Sequence, residues 1–180
     1  MNNPIISPEN IYLVTDIPGY TPDISRLICM MNYTRIVTLH HVKDLSVNEL
    51  DFQIDQESNS IGALLLHIAS TEFFYQKMSF EERELTGEEN KEWDAAAKLG
   101  NKGREEIKGN DLNYYLNKLN EIRSRTFEMF REKDDEWLDK KLPYGKFESN
   151  NHHLWFHVFE DEINHRGQIS WIRKRIKAEN

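Results

Sequence analysis

Apolar residues recur at helical steps in four stretches of the chain. From Asp23 the positions Ile24, Leu27, Ile28 and Met31 share one face, which predicts an amphipathic helix running to about Val42. A polar connection follows from Lys43 to Asn59, with room for a short helical turn at Ser46 to Leu50. Ser60 then opens IGALLLHIASTEFFYQKM, apolar over much of its circumference, so the second helix should be the most buried. Asp111, a suitable N-cap, precedes Leu112, Tyr115, Leu116, Leu119, Ile122, Thr126 and Phe130, a third helical stripe. The fourth runs from about Asn151 to near Lys177.

The segments between these stripes read differently. Pro4, Pro8, Pro18, Gly19 and Pro22 predict an irregular arm over residues 1–22. Residues Phe80 to Asn110 are rich in charge and punctuated by Gly100, Gly103 and Gly109, a solvated connection with short helices of its own. Pro143, Tyr144 and Gly145 mark a turn, and a short hairpin within Asp134 to Glu148 would decorate the helices without changing their arrangement. Strand signals are otherwise nearly absent and no repeat is found. The expected fold is all-α, a four-helix bundle in one domain spanning 1–180, with its core in about 23–177.

Polar residues interrupt the fourth stripe. Leu154, Val158, Asp161, His165, Ile169, Ile172 and Ile176 advance by threes and fours, so they share one face whose ends are apolar and whose middle holds a carboxylate and an imidazole. Burying a charged Asp costs several kcal/mol, roughly, unless a partner satisfies it. Asp161 and His165 could pair with each other, being about 40° and about 6 Å apart on a helix. They could pair with Arg166 or with charges on another helix, or both could hold a metal, which the i, i+4 spacing permits. A metal needs a further ligand, and the second helix offers His67 among Leu64, Leu65, Leu66 and Ile68. A lone His on an apolar helix is otherwise a satisfied core residue.

Composition narrows the choices. The 180 residues are 38% hydrophobic and 30% charged, and 23 Lys and Arg against 31 Asp and Glu leave a net charge of −8. Such a surface does not suit a polyanion, so nucleic acid is not the expected partner. The single cysteine, Cys29, allows neither an internal disulfide nor a thiolate zinc cage. No run approaches the 18 or so apolar residues that span a bilayer, and Met1 to Pro8 lacks a signal-peptide pattern, so the expectation is a cytoplasmic protein away from membranes. Seven histidines, His40, His41, His67, His152, His153, His157 and His165, are where chemistry is to be sought.

At these residues the sequence resembles the DinB/YfiT-like superfamily of metal-dependent four-helix-bundle proteins. Asn59 to Ala69, with Glu72 close behind, is similar to that family's second helix. Phe156 to Ile169 resembles its final helix, and His165-Arg166-Gly167-Gln168 is the most specific part. Ala95 to Gly100 and Asp134 to Leu138 resemble an uncharacterised branch, so the likeness covers roughly Ile24 to Lys177. The resemblance implies a divalent metal, zinc or nickel being usual, held by His67, Asp161 and His165. Many relatives carry His at the position of Asp161, so the site here has two His and one carboxylate, a harder donor set. Characterised relatives include transferases and isomerases that use bacillithiol, mycothiol or glutathione, and many are homodimers.

Three protein ligands leave an open position, as in catalytic zinc sites. A bound water could then act as a nucleophile, giving hydrolysis, or a low-molecular-weight thiol could be held as its thiolate and transferred to an electrophilic small molecule. The resemblance places thiol transfer first. A non-catalytic, stress-related bundle whose metal only braces two helices is the reading from another class. His157, four residues before Asp161, is a candidate acid/base or alternative ligand, and Glu162 a candidate general base, although it lies about 100° around the helix from Asp161. Glu72 and Gln168 are candidates to orient the imidazoles. His152 and His153 belong to the helix start, and His40 and His41 could border the pocket or face solvent. The cations near the carboxyl end suit a helix C-terminus, the acidic run Glu81 to Asp94 reads as a solvated face, and Trp93, Trp137, Trp155 and Trp171, where exposed, would mark a self-association surface.

Overall fold

The four stripes form four long helices. The computed structural model describes residues 10–179, with side chains to residue 176. Among these, α1 (Pro22–Val42), α3 (Ile61–Tyr75), α6 (Leu112–Phe130) and α8 (Asn151–Glu179) build an all-α bundle. The short helices are α2 (Val47–Asp51), α4 (Gly87–Lys98), α5 (Gly100–Glu106) and α7 (Asp135–Asp139), and a π-helical turn, Gln76–Phe80, extends α3. The arm is irregular from residue 10 to the start of α1, as its prolines predict, and its first nine positions lie outside the described residues. One hairpin, β1 (Lys141–Tyr144) with β2 (Phe147–Asn150), pairs Tyr144 with Phe147 around Gly145, whose φ of 61° suits glycine. It ends two residues beyond the segment in which the sequence placed it, and the first part of that segment is α7.

Caps fix where the helices begin. Ser60 Oγ accepts from Ala63 N at 3.2 Å and Asp111 Oδ1 accepts from Tyr114 N at 2.9 Å, satisfying amides that the first turn leaves free. Within the charged connection, Thr86 and Glu89 form a capping box that starts α4. The α1 N-terminus is capped from a distance: Asp135 Oδ1 on α7 accepts from the amides of Asp23 and Ile24 and from the Thr21 hydroxyl.

Side-chain contacts give the helix directions. Arg35 meets Glu162, and six residues on Arg173 donates to the His41 carbonyl, so α1 and α8 run parallel. Gly62 lies against Tyr115 and Glu72 against Thr126, so α3 and α6 run parallel too. Met31 meets Arg123 and, four residues on, Arg35 meets Leu119, so α1 and α6, and with them the two pairs, are antiparallel. The result is an up-down-down-up bundle.

The apolar interior falls into two halves. Ile61, Leu64, Leu65, Ile68, Leu119, Ile169 and Ile172 fill one, and Leu27, Ile28, Met31, Phe127, Phe130, Leu154, Trp155 and Val158 fill the other. Between them lies a polar layer made of one residue from each long helix: Arg35, Glu72, Arg123 and Glu162. Arg35 Nε and Arg123 Nε donate to Glu162 Oε1 at 2.9 Å and Glu72 Oε1 at 2.8 Å, and each guanidinium also reaches the other carboxylate. Nη1 of Arg35 and of Arg123 donate to the carbonyls of Leu119 and Met31, and the Thr126 hydroxyl donates to Glu72. Formal charge in the layer sums to zero.

Candidate metal centre

Antiparallel packing of α3 and α8 places His67 against the turn of α8 that carries Asp161 and His165. His67 Nε2 is 3.7 Å from Asp161 Oδ2, His165 Nε2 is 3.3 Å from Asp161 Oδ1, and the two imidazoles meet edge to face at 4.7 Å. Each residue offers one donor atom, and the three atoms lie within 4.8 Å of one another. The side chains are 18, 16 and 13% exposed, so the cluster sits at the seam of the two helices with one side open, not inside the core. The residue of α8 that enters the core is the next one, Glu162.

The cluster's hydrogen bonding suits a cation. His67 Nδ1 is 2.8 Å from the carbonyl of Ala96 on α4. A carbonyl only accepts, so Nδ1 carries the proton, and in the neutral ring Nε2 presents a lone pair toward Asp161. Burial pushes the His67 pKa down, which favours that neutral form. Asp161 stays ionised: burial pushes its pKa up, but the hydrogen bond from His165 and the electrostatic attraction of that ring outweigh this and hold it below the ordinary value. Two acceptors therefore face each other, and Asp161 Oδ2 is buried with no hydrogen-bond partner among the described residues. A divalent ion between them would satisfy both. Donors bonded at about 2.0–2.2 Å to one tetrahedral ion lie roughly 3.4 Å apart, which small side-chain rotations would reach here. The second nitrogen of His165, Nδ1, is also buried without a partner among the described residues.

The other residues singled out in the sequence are spread more widely. His157 lies one turn from Asp161 on α8. Its Nδ1 is 3.0 Å from Glu160 Oε2, and its ring meets Tyr75 edge to face at 5.8 Å. The Tyr75 hydroxyl is 3.1 Å from that of Tyr144 on the hairpin. Glu160, which the sequence reading passed over, thus orients His157.

Glu162 does not reach the cluster. It is fully buried with its carboxylate engaged by Arg35 and Arg123, and the general-base role considered from sequence gives way to an ion-pairing one. Glu72 belongs to the same layer and orients no imidazole; the Ala96 carbonyl performs that task for His67. Gln168 is exposed. His40 and His41 close the last turn of α1, far from the cluster along the helix, where their carbonyls accept from Arg173. His152 and His153 begin α8, and of the four tryptophans only Trp171 is exposed.

Cys29 is buried in α1, its thiol directed at the Thr15 carbonyl, and offers no sulfur to the cluster. No helix among the described residues is long and apolar enough to cross a membrane. Residues 26–178 match the family described as mycothiol-S-transferase. No curated protein compared with the chain matches it significantly.

Proposed function

Because the chain belongs to the mycothiol-S-transferase family, we propose that it transfers a low-molecular-weight thiol, through its sulfur, to an electrophilic small molecule, at a divalent ion held by His67, Asp161 and His165. The observation that carries this proposal is the lone pair of His67 Nε2 facing the unpartnered Asp161 Oδ2, with His165 closing the third side. Zinc or nickel suits two imidazoles and a carboxylate.

When bound, such an ion supplies Lewis-acid stabilisation of the thiol's conjugate base. The chain's own groups do the rest. Ala96 fixes the His67 tautomer and so aims Nε2 at the site. Glu160 accepts from His157 Nδ1–H, which leaves His157 Nε2 free to take the thiol proton. The sulfur pair then forms a C–S bond to the electrophilic carbon while the bond to the leaving group breaks with its electrons. The proton on His157 passes to the leaving group or to solvent. Since Cys29 is buried away from the site, the thiol arrives as substrate.

Metal content of the purified protein tests the ligand set. Wild type is expected to hold about one divalent ion per chain after dialysis, and His165→Ala and Asp161→Ala to hold far less. Stoichiometric metal in both variants would sink the assignment. Conjugation assays with mycothiol, bacillithiol, glutathione and cysteine against benzylic and aryl halides test the reaction, and release of halide by water at the same rate without thiol would favour a hydrolase.

A further inference from the structure

A second feature lies along the same face of α3 as the metal cluster. His67, Thr71 and Phe74 are four and seven residues apart and point the same way, with Met78 following in the π-helical turn. Phe74 and Met78 line a cavity of about 740 Å³ that also touches Leu85, Leu142 and Pro143, within the roughly 300–1,000 Å³ usual for small-molecule sites. The flanks match those of the cluster. On one side α4 runs antiparallel to α3, touching it through Trp93 on Phe73 and the Ala96 carbonyl on His67, and its Asn90 lines the cavity. On the other side stand the start of α8 and the hairpin.

We propose that this cavity binds the apolar body of the electrophile, an elongated and uncharged molecule whose reactive carbon extends toward His67. The apolar part of its lining is a ring, a thioether and aliphatic side chains, beside polar and charged groups that include Glu82, Glu84 and Asn90. The cations on its rim are already paired, Lys140 with Glu82, Lys141 with Glu148, and Arg83 with Glu81 and Glu89. Each of these cations faces a carboxylate, so an anion would have to compete with the protein's own acids for them. Phe74 is seven residues from His67, about 10 Å along the helix axis, so a molecule resting on Phe74 points its reactive carbon at the donors only if that carbon lies at the end away from its apolar body. Phe74 meets the Tyr75 ring edge to face at 5.4 Å yet remains 42% exposed, a large apolar surface turned to the cavity.

The thiol-transfer reading is needed only for the role of the bound molecule as electrophile, so binding is measured apart from turnover. The probe is 4-nitrobenzyl alcohol, the unreactive counterpart of a benzylic halide, titrated calorimetrically into the full chain without added metal, with 4-nitrobenzoate as the charged comparison. Saturable binding of the alcohol is expected. It should weaken at least tenfold in Met78→Lys and in Phe74→Ala, persist in His165→Ala, and exceed that of the benzoate at least tenfold. Phe74 is exposed, so Phe74→Ala leaves the buried core untouched, and circular dichroism checks its folding. No saturable binding, unchanged affinity in both cavity variants, loss in His165→Ala, or equal binding of the benzoate would each overturn the proposal. Absence of metal or of transferase activity with this binding pattern intact would overturn the proposed reaction and leave the cavity's ligand class standing.

Discussion

At the residue scale, the site is defined by one contact that excludes its own simplest alternative. A neutral His67 cannot donate to Asp161 from Nε2 when Ala96 holds the proton on Nδ1, so the pair lacks the hydrogen bond that would make it self-sufficient. Asp161→Asn removes that conflict without changing shape, because an amide N–H can donate to Nε2. The variant should lose metal affinity by at least tenfold yet be more stable than wild type in chelator by about 0.5–1.5 kcal/mol, one neutral hydrogen bond's worth. Zinc titration and chelator melting curves decide it; a variant less stable than wild type in chelator would contradict this account of the pair. The three donors were legible because i, i+4 spacing and an isolated His leave a trace in sequence. Ala96 was not, since a carbonyl supplied by the backbone has no side-chain signature. Glu162 was misread because α8 packs against α1 as well as α3, so residues on either side of the expected stripe are buried.

At the element scale, α3 must approach α6 closely for the two to run side by side. A Cβ at Gly62 would lie 2.5 Å from the hydroxyl oxygen of Tyr115, a side chain with no exposure and little freedom to move aside. Gly62→Ala is therefore expected to destabilise the fold by about 1–3 kcal/mol through overpacking, despite alanine's better helix propensity. Urea denaturation measures it, and Tyr115→Phe in the same background should recover part of the loss by withdrawing the hydroxyl. No recovery would mean that the strain lies elsewhere. The four long helices were readable from periodicity and from caps such as Ser60 and Asp111. The structure of the charged connection was less so: α4 is held by Trp93, Ala95 and Ala96 against α3, and three contacts spaced within a mostly polar segment give only a weak stripe.

At the scale of the whole molecule, the buried layer of Arg35, Glu72, Arg123 and Glu162 joins all four long helices at one depth, and that depth is also the level of the metal cluster. Each helix contributes a single charge, so rotating or sliding any one of them leaves a buried charge unpaired. Glu162 therefore fixes the rotation of α8 that turns Asp161 and His165 toward His67. Removing one partner of such a buried set costs about 3–5 kcal/mol, and Glu162→Gln should show a loss of this size at pH 7. The loss should depend on pH. Burial pushes the Glu162 carboxyl up, but the charges of Arg35 and Arg123 more than offset it and hold it below its ordinary value of 4.5. The folded state thus binds the proton less readily than the unfolded chain does. The stabilisation is complete above pH 4.5 and is lost as pH falls through the lower folded-state value, with stability rising with pH in between. Urea curves of wild type and Glu162→Gln should accordingly lie far apart at pH 7 and converge on acidification below pH 4.5, whereas a gap of constant size would mean that the variant acts through packing and not through the carboxylate's charge.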